Sequence, residues 1–426
     1  MDANISFGIT ATALVLFMTP GLAFFYGGLV RARSVISMMM MSFATIGLVA
    51  VLWILYGSSM SSVDSPFAFA GNPFADFALG ATVAAETANT DLVSVAFGST
   101  FAIITVALIS GAIADRAKFW SWLVFVAGFA TLGYFPIAAW VWGGGWVHSL
   151  GGMLGLPDVI DYAGGLAVHI NAGAAALALV FVLGRRIGWE KGSHKPHNVP
   201  FTMLGAAILW FGWFGFNVGA EWTNDMANAG LITINTVGAT AAAICGWLAA
   251  EKAKGGKPSA VGAASGAVAG LVAITPACAN LTPGWSLLLG VVTGFVCAFA
   301  VEMKYRWNFD DSLDVVGLHL VGGLIGTLWL GIFATDTGLV YGGGAGQLAV
   351  QALSALGVLV YAFVLAWVLG MIIDKTMGFR VDDTSEIDGV DQHVHGETAY
   401  ALGGQDFNGP EAEAEAEAED GSIRTQ

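Results

Sequence analysis

The chain has 426 residues, of which 56% are hydrophobic and only 11% are charged. Soluble domains carry about 25% charged residues, so this composition excludes an ordinary soluble enzyme and indicates a polytopic membrane protein. The formal net charge of −15 disfavours binding to nucleic acid. An acidic surface also keeps a protein solvated in strong salt. The composition therefore leaves open whether the host organism is salt-adapted.

Eleven apolar runs are candidates to cross the hydrocarbon core, which needs roughly 20 residues for about 30 Å. Each run is predicted to be helical, because lipid offers no partner for unpaired backbone groups. The eighth and ninth runs are the shortest. The predicted spans are 7–30, 35–56, 93–114, 119–141, 164–183, 200–218, 231–250, 260–275, 284–300, 315–334 and 348–373.

Lysine and arginine follow every second predicted span. The intervening loops at 58–92, 142–163, 220–230, 276–283 and 335–347 contain neither residue. The positive-inside rule then predicts a cell-membrane protein with its N-terminus outside and its C-terminus in the cytoplasm. The alternation also supports the number of spans, because one missed or extra helix would disrupt it.

Two histidines lie within stretches that are otherwise typical of a membrane helix. His169 occurs in DYAGGLAVHINAG and His319 in DVVGLHLVGG. An ionisable side chain at membrane depth is costly and normally marks a path for an ion or a proton. A single buried histidine is more often a structural hydrogen-bond partner, but two in matching contexts favour a function.

The two histidine spans also suggest an internal repeat. Asp161 precedes His169 and Asp314 precedes His319, and the two spans run in opposite directions, five spans apart. This pattern is typical of an inverted repeat with a site near the midplane. At 1.5 Å per residue the histidines lie about 12 Å and about 7 Å beyond these aspartates, so we expect them to meet. We expect Asp314 to be a helix N-cap.

Enzyme chemistry has no support in the sequence. Cys245, Cys278 and Cys297 show no paired spacing, so we expect free thiols and no metal site. Neither a metal-binding set such as HExxH nor a nucleophile motif is present. We therefore expect no enzymatic activity and no cofactor.

Longer strings occur in a fixed order along the chain. Besides the first histidine string, they are FAIITVALISGAIADR at 101–116, WGGGW at 142–146, KPHNVP at 195–200, GWFGFNVG at 212–219, TPAC at 275–278, DDSLDVVGLHLVGG at 310–323 and HGETAY at 395–400. In the order and spacing of these strings the chain resembles the ammonium transporter (Amt/Mep/Rh) family, and is most similar to its Amt type. The resemblance covers nearly the whole chain to residue 400.

The resemblance implies an all-α fold of eleven transmembrane helices, arranged as two inverted five-helix repeats plus an eleventh helix. It also implies a homotrimer with one pore in each subunit, which takes up ammonium, or methylammonium as an analogue. Its site residues would be a vestibule tryptophan, two stacked phenylalanines that close the pore, a pair of pore histidines and a supporting acidic residue. The matching positions are Trp142, Phe101, Phe216, His169, His319 and Asp161.

The chemistry of these residue types fits such a role. An aromatic face attracts a small cation by roughly 0.5–2 kcal/mol, and tryptophan is the best such ring. Phe101 and Phe216 would form a hydrophobic constriction that excludes water and hydrated ions. Imidazole accepts or donates a proton near neutral pH, so ammonia and a proton could cross separately with net charge movement. For Phe97, one turn before Phe101, packing is the favoured role.

One position departs from the family pattern. The family often has serine after the FN-x-G string, and this chain has Ala220 there. The vestibule then lacks one hydroxyl acceptor for the N–H groups of the ion. We expect recruitment to depend more on Trp142 and on backbone carbonyls, with a lower apparent affinity.

The predicted domains are a membrane domain at 1–375, a cytoplasmic regulatory region at 376–400 and a disordered acidic tail at 401–426 that contains EAEAEAEAED. The resemblance implies that the regulatory region packs on a neighbouring subunit and that a PII-type signalling protein binds the cytoplasmic face. An ammonium sensor is the alternative function. Sensors usually carry a fused signalling domain, and too few residues follow the last predicted span for one.

Overall fold

The computed structural model describes residues 3–192 and 194–400, and over these residues the protein is helical without a β-strand. One isolated bridge joins Ala117 to Arg380. The predicted acidic tail at 401–426 lies outside the described residues.

Within that part of the chain, ten helices are long and apolar enough to cross a membrane, and an eleventh apolar helix has 15 residues. Their bounds are close to those predicted from the sequence at most ends, although α3 begins earlier and α4, α6 and α9 end later. In chain order they are α1 (Ala3–Leu29), α2 (Val35–Met60), α3 (Ala88–Ile113), α4 (Phe119–Leu154), α5 (Gly165–Leu183), α6 (Val199–Thr223), α7 (Ala229–Ala253), α8 (Ala260–Ile274), α9 (Pro283–Trp307), α10 (Val316–Phe333) and α11 (Gly346–Met377).

Shorter elements connect and follow these helices. A turn at 142–145 interrupts α4, so that Trp146–Leu154 is a separate short segment. Gly80–Ala84 lies in the loop before α3, and α12 (Asp383–Asp388) follows α11.

Small residues set the closest helix contacts. α1 packs along α6, and α7 packs along α9. A Cβ on Gly290 or Gly294 of α9 would collide with the backbone of α7 at Ala239 or Ala243. Helices in a membrane associate by such close packing, because lipid tails are as apolar as the side chains.

One face of α11 is apolar and exposed. The exposed side chains on this helix include Leu353, Leu356, Val360, Val364, Trp367 and Ile372. A continuous apolar stripe of this kind suits contact with hydrocarbon or with another chain rather than with water.

Candidate functional site

Helices α5 and α10 begin with the same unusual local structure. Each starts with a π-helical turn that carries a histidine, Gly165–Ile170 in α5 and Val316–Leu320 in α10. Such turns are rare and often occur at functional sites. They leave backbone N–H groups at the start of the helix that need partners.

A buried aspartate supplies those partners at both helices. The Asp161 carboxylate accepts the N–H groups of Gly164, Gly165, Leu166 and Ala167 at 2.5–3.1 Å. This is the support expected of Asp161 from the sequence.

In α10 the corresponding residue is Asp311, which accepts the N–H groups of Val315 and Val316 at 3.1 and 2.7 Å. The prediction that Asp314 is the N-cap is therefore wrong. The backbone at Asp314 is left-handed, with φ of 65°, and its carboxylate pairs with Lys304 at 2.6 Å. Asp311 lies eight residues before His319, as Asp161 lies eight before His169.

The two histidines meet in the interior of the protein. His169 Nδ1 lies 3.3 Å from His319 Nδ1, and the rings are stacked with centroids 5.3 Å apart. Both side chains are buried, at 1% and 3% exposure. His169 Nε2 has no hydrogen-bond partner among the described protein groups. A pair in this geometry shares one proton between the two facing nitrogens, and its tautomers decide which ring donates.

Two glycines allow α5 and α10 to approach at this point. Each lies four residues after a histidine and faces the other helix. A Cβ on Gly173 would lie 2.5 Å from the Leu320 nitrogen, and one on Gly323 would lie 3.1 Å from the His169 Cβ. A side chain at Gly173 would therefore require a shift of the α10 backbone, and one at Gly323 would press on the His169 side chain.

A small apolar cavity lies beside the histidines, with a volume of about 10 Å³. A space of that size holds about one water-sized sphere. Apart from the two histidines, its lining is hydrophobic: Met18, Leu22, Phe25, Ile104, Leu108, Val168, Leu209, Trp213, Phe216 and Val268.

A column of aromatic rings connects this cavity to a larger one. Trp142 meets Phe101 edge to face, with centroids 6.0 Å apart, and Phe101 stacks on Phe216 at 4.2 Å. Phe216 in turn lies 6.3 Å from His169. Trp213, which the sequence analysis missed, stacks on His169 at 5.6 Å. Its position in GWFGFNVG, one turn before Phe216, was the available signal.

The larger space, here called the aromatic cavity, has a volume of about 450 Å³. Of the residues predicted for recruitment, Trp142, Phe101 and Ala220 line this cavity, whereas Phe216 lines the smaller one. Phe97 also lines the larger cavity and packs on Phe101. Its lining residues are Trp53, Ser61, Ser62, Ser94, Phe97, Gly98, Phe101, Tyr134, Ala138, Trp142, Gly143, Tyr162, Ala163, Ala220, Trp222 and Thr223. Trp142 is fixed there because its Nε1 donates to the Asp161 carbonyl at 2.9 Å.

Tyr162 and Glu221 form a second polar feature of the aromatic cavity that the sequence analysis did not identify. Tyr162 lines the cavity, and its hydroxyl donates to the Glu221 carboxylate. Glu221 is only 1% exposed. The available signal was an acidic residue directly after Ala220, in a region of the sequence without lysine or arginine.

The opposite ends of α3 and α5 hold a buried charged cluster, defined here as Asp115, Arg186 and Asp310. Arg186 donates to Asp115 and to Asp310, each at 2.8 Å. Burial opposes ionisation of both carboxyl groups, yet the guanidinium of Arg186 holds the pKa of Asp115 and of Asp310 below the usual range. Arg31 lies 3.8 Å from Asp115 and Arg116 lies 4.0 Å from Asp310, so that with these two arginines the charge of both carboxylates is compensated.

The chain after α11 docks on this end of the protein. Glu386 accepts the N–H of Ile187 and pairs with Arg380 at 2.8 Å. The Asp391 carboxylate accepts the N–H groups of Ile36 and Ser37 at 3.0 and 2.7 Å. In this single chain the predicted regulatory region thus packs on its own membrane domain.

The three cysteines are unpaired, with Cys278 and Cys297 buried and Cys245 exposed. Over the described ranges no group of three or more histidine, cysteine, aspartate or glutamate side chains is placed to hold a metal ion.

Comparison with known proteins identifies the family. The model of the Ammonium Transporter Family matches residues 6–400. The ammonium transporter of Mycobacterium tuberculosis (strain ATCC 25618 / H37Rv) is 48% identical, over 92% of this chain and 89% of its own. Ammonium transporter Amt1 of Archaeoglobus fulgidus is 38% identical, over 94% of this chain and 99% of its own.

Solved structures agree in fold. Candida albicans Mep2 superimposes with a TM-score of 0.81 at 31% identity, over 90% of this chain and 87% of its own. A protein titled Sensor Amt Protein has a TM-score of 0.83 at 28% identity, over 91% and 97%. The two relatives found by sequence are both named ammonium transporters. The chain therefore belongs to the ammonium transporter family.

Proposed function

We propose that the protein carries ammonium into the cell, taking up the cation at the aromatic cavity and conducting ammonia past the histidine pair, with the proton relayed separately. The observation that supports this most is the column of rings from Trp142 through Phe101 and Phe216 to the contacting histidines. Each step of the proposal uses one part of that column.

Recruitment would take place in the aromatic cavity. The ring of Trp142 is 38% exposed and its edge is fixed by the Asp161 carbonyl, so its face is held toward the cavity. The attraction between a cation and such a face is about 0.5–2 kcal/mol and increases with desolvation. A binding energy of this size concentrates ammonium without trapping it.

Phe101 and Phe216 would act as the gate. Their stacked rings are buried, at 5% and 1% exposure, and separate the large cavity from the small one. An apolar constriction excludes water and hydrated ions. A bare potassium ion has no proton to release, whereas ammonium can pass as neutral ammonia once it has lost one.

His169 and His319 would relay that proton. Nitrogens 3.3 Å apart can exchange a proton along one hydrogen bond. Two rings in contact act as a coupled pair, in which the protonation of one ring affects that of the other. Uptake of ammonia with a separately relayed proton moves one positive charge per cycle, so we infer electrogenic transport.

For the topology, we propose eleven membrane spans with α8 as the eighth. A helix of 15 residues is about 22 Å long, which is short for a lipid-exposed span. Residues 264–274 of α8 are all buried within the protein, so this helix does not need to match the hydrocarbon thickness.

Helices α5 and α10 both begin with a π-helical turn that is capped by an aspartate. This similarity supports two inverted five-helix repeats, α1–α5 and α6–α10, with α11 outside them. The loops without lysine or arginine support an outside N-terminus and a cytoplasmic C-terminus. We further propose a homotrimer in the cell membrane, with α11 supplying part of the exposed apolar surface.

The proposed domains remain a membrane domain at 1–375, a cytoplasmic regulatory region at 376–400 and an acidic tail at 401–426. The docking of Glu386 and Asp391 supports a regulatory region that packs beside the charged cluster, and we propose this face as the binding surface for a PII-type signalling protein. A transporter is favoured over a sensor, because the curated relatives are named ammonium transporters.

The test is a current assay on purified protein reconstituted into liposomes on a solid-supported membrane. An ammonium pulse should give a current in the wild type, and H169A and H319A should each reduce it by more than about tenfold, because the proton relay is broken. H148A, which removes a histidine outside the ring column, is the matched control.

Three results would contradict the proposal. Ammonium flux without any current would remove the proton relay. Equal currents in the wild type and both pore variants would remove the role of the histidines. An absence of ammonium flux in the wild type would remove the transport function itself.

A further inference from the structure

We infer that the Tyr162 hydroxyl, polarised by the buried Glu221 carboxylate, is the hydrogen-bond acceptor that holds ammonium in the aromatic cavity, where Ala220 offers none. The inference rests on the proposed function and identifies a binding group for the same substrate. The ligand it selects is a small cation that bears N–H groups.

The position of the pair supports this role. Tyr162 and Ala220 both line the aromatic cavity, and Glu221 follows Ala220 in the chain. Tyr162 also directly follows Asp161, whose carbonyl fixes the Trp142 ring. The tyrosine therefore shares the lining of the aromatic cavity with the proposed cation-binding tryptophan and with the alanine.

The surroundings of Glu221 are unusual for a buried carboxylate. It accepts hydrogen bonds from the Tyr162 hydroxyl, the Asn228 backbone N–H and the side-chain amides of Asn224 and Asn228. All of these donors are neutral. Among the described residues no lysine or arginine forms an ion pair with it.

A carboxylate buried without a counter-cation is expensive, since burial penalises the charged form and nothing of opposite charge compensates it. Neutral donors satisfy its hydrogen-bonding needs but leave the negative charge in place. Such a group is explained if a cation arrives nearby as part of the function. The protein would then leave the charge uncompensated so that ammonium can compensate it.

Tyrosine connects this charge to the cavity. A phenolic hydroxyl has one proton to donate and lone pairs to accept with. Because the proton is committed to Glu221, the oxygen faces any incoming ion as an acceptor only, and the charged partner increases its electron density. Ammonium can donate an N–H to that oxygen.

The test uses the full-length protein in the same current assay, with Y162F as the main variant. Y162F keeps the ring and removes only the hydroxyl, so the cavity wall remains in place. We expect the KM for ammonium to rise by about tenfold, the usual size for loss of one hydrogen bond to a charged group, with the maximal current unchanged. E221Q, which keeps the shape of the side chain, should raise KM in the same direction.

Controls separate this role from general effects. Y361F removes a tyrosine hydroxyl that bonds to the Leu132 carbonyl away from the cavity, and E86Q removes an exposed acidic charge from the loop before α3. Both should retain the wild-type KM. Adding A220S to Y162F should restore much of the lost affinity, because a serine hydroxyl offers a new acceptor beside the same ring set.

Unchanged KM values in both Y162F and E221Q would overturn the inference, and so would an A220S addition that fails to improve Y162F. In either case a wild-type protein that still conducts ammonium keeps the proposed function intact. A wild type without ammonium flux would remove both.

Discussion

The two ends of the helix bundle treat buried carboxylates in opposite ways. At the aromatic cavity, Asp161 and Glu221 are held by neutral N–H and O–H donors. In the charged cluster, Asp115 and Asp310 share the guanidinium of Arg186. All four are largely buried, so depth alone does not explain the difference.

This difference indicates a different function for each end of the helix bundle. Carboxylates without a counter-cation leave a negative field, which attracts a positive substrate. Carboxylates that share an arginine are neutralised internally, so they stabilise the structure and have little hold on a passing cation. The uncompensated carboxylates near the aromatic cavity suit the binding of a cation, and the compensated carboxylates of the charged cluster suit its release.

The largest expected effect comes from removing Arg186 from the charged cluster. R186M leaves the buried carboxylates Asp115 and Asp310 without their shared partner, which costs about 3–5 kcal/mol. Thermal melting of the detergent-solubilised protein should show a large loss of stability. R185M, at an exposed position next to it, is the matched control, and equal melting of the two variants would show that the cluster is not structural.

A smaller effect is expected at the N-terminal ends of α5 and α10, which can be compared directly. D161N and D311N each weaken a carboxylate cap, and we expect up to about 2 kcal/mol lower stability from each. D161N should also raise the KM for ammonium, because it removes negative charge beside the aromatic cavity. D311N should leave KM unchanged, and a KM that rises equally in both variants would contradict the proposed division between the ends.

The next smaller effect is a loss of stability at low pH, which we expect to arise in the charged cluster. The pKa of Asp115 and of Asp310 is lowered in the folded protein, so their pairing contributes stability above the ordinary carboxyl pKa of about 4. That contribution is lost as the pH falls through the lowered values. We expect the wild-type melting temperature to fall more steeply below about pH 4 than that of R186M. Parallel curves for the two proteins would argue against the pairing.

The smallest expected effect is a gain in apparent affinity for ammonium at the aromatic cavity. A220S adds one hydroxyl to the aromatic cavity and should lower the KM for ammonium by only about two- to threefold, because Tyr162 already supplies an acceptor there and the gain from a second one is partial. Concentration dependence of the current measures it. An unchanged KM would mean that the hydroxyl is irrelevant in this protein.

Much of the fold could be predicted from the sequence, because membrane helices are encoded locally. Hydrophobic runs and the alternation of basic loops placed the helices, and the matching contexts of His169 and His319 predicted that the two side chains would meet. Their Nδ1 atoms do lie 3.3 Å apart. The family resemblance is confirmed by the match over residues 6–400.

The rest depended on backbone geometry that spacing does not reveal. The sequence analysis assigned the N-cap of the second histidine helix to Asp314, but the backbone at Asp314 is left-handed and its carboxylate pairs with Lys304. Tyr162 and Glu221 lie 59 residues apart in sequence, so no local pattern joins them. The role of Trp213 likewise depends on a contact with another helix.

The crossing of α5 and α10 at Gly173 and Gly323 has a consequence for how this protein can change over time. Because neither position holds a side chain, the two helices approach closely beside the imidazoles. Any mutation there adds at least a whole methyl group, so the proposed path past the imidazoles cannot be adjusted finely at these sites. Natural variation in permeation rate should therefore accumulate elsewhere, in the rings and polar groups around the entrance.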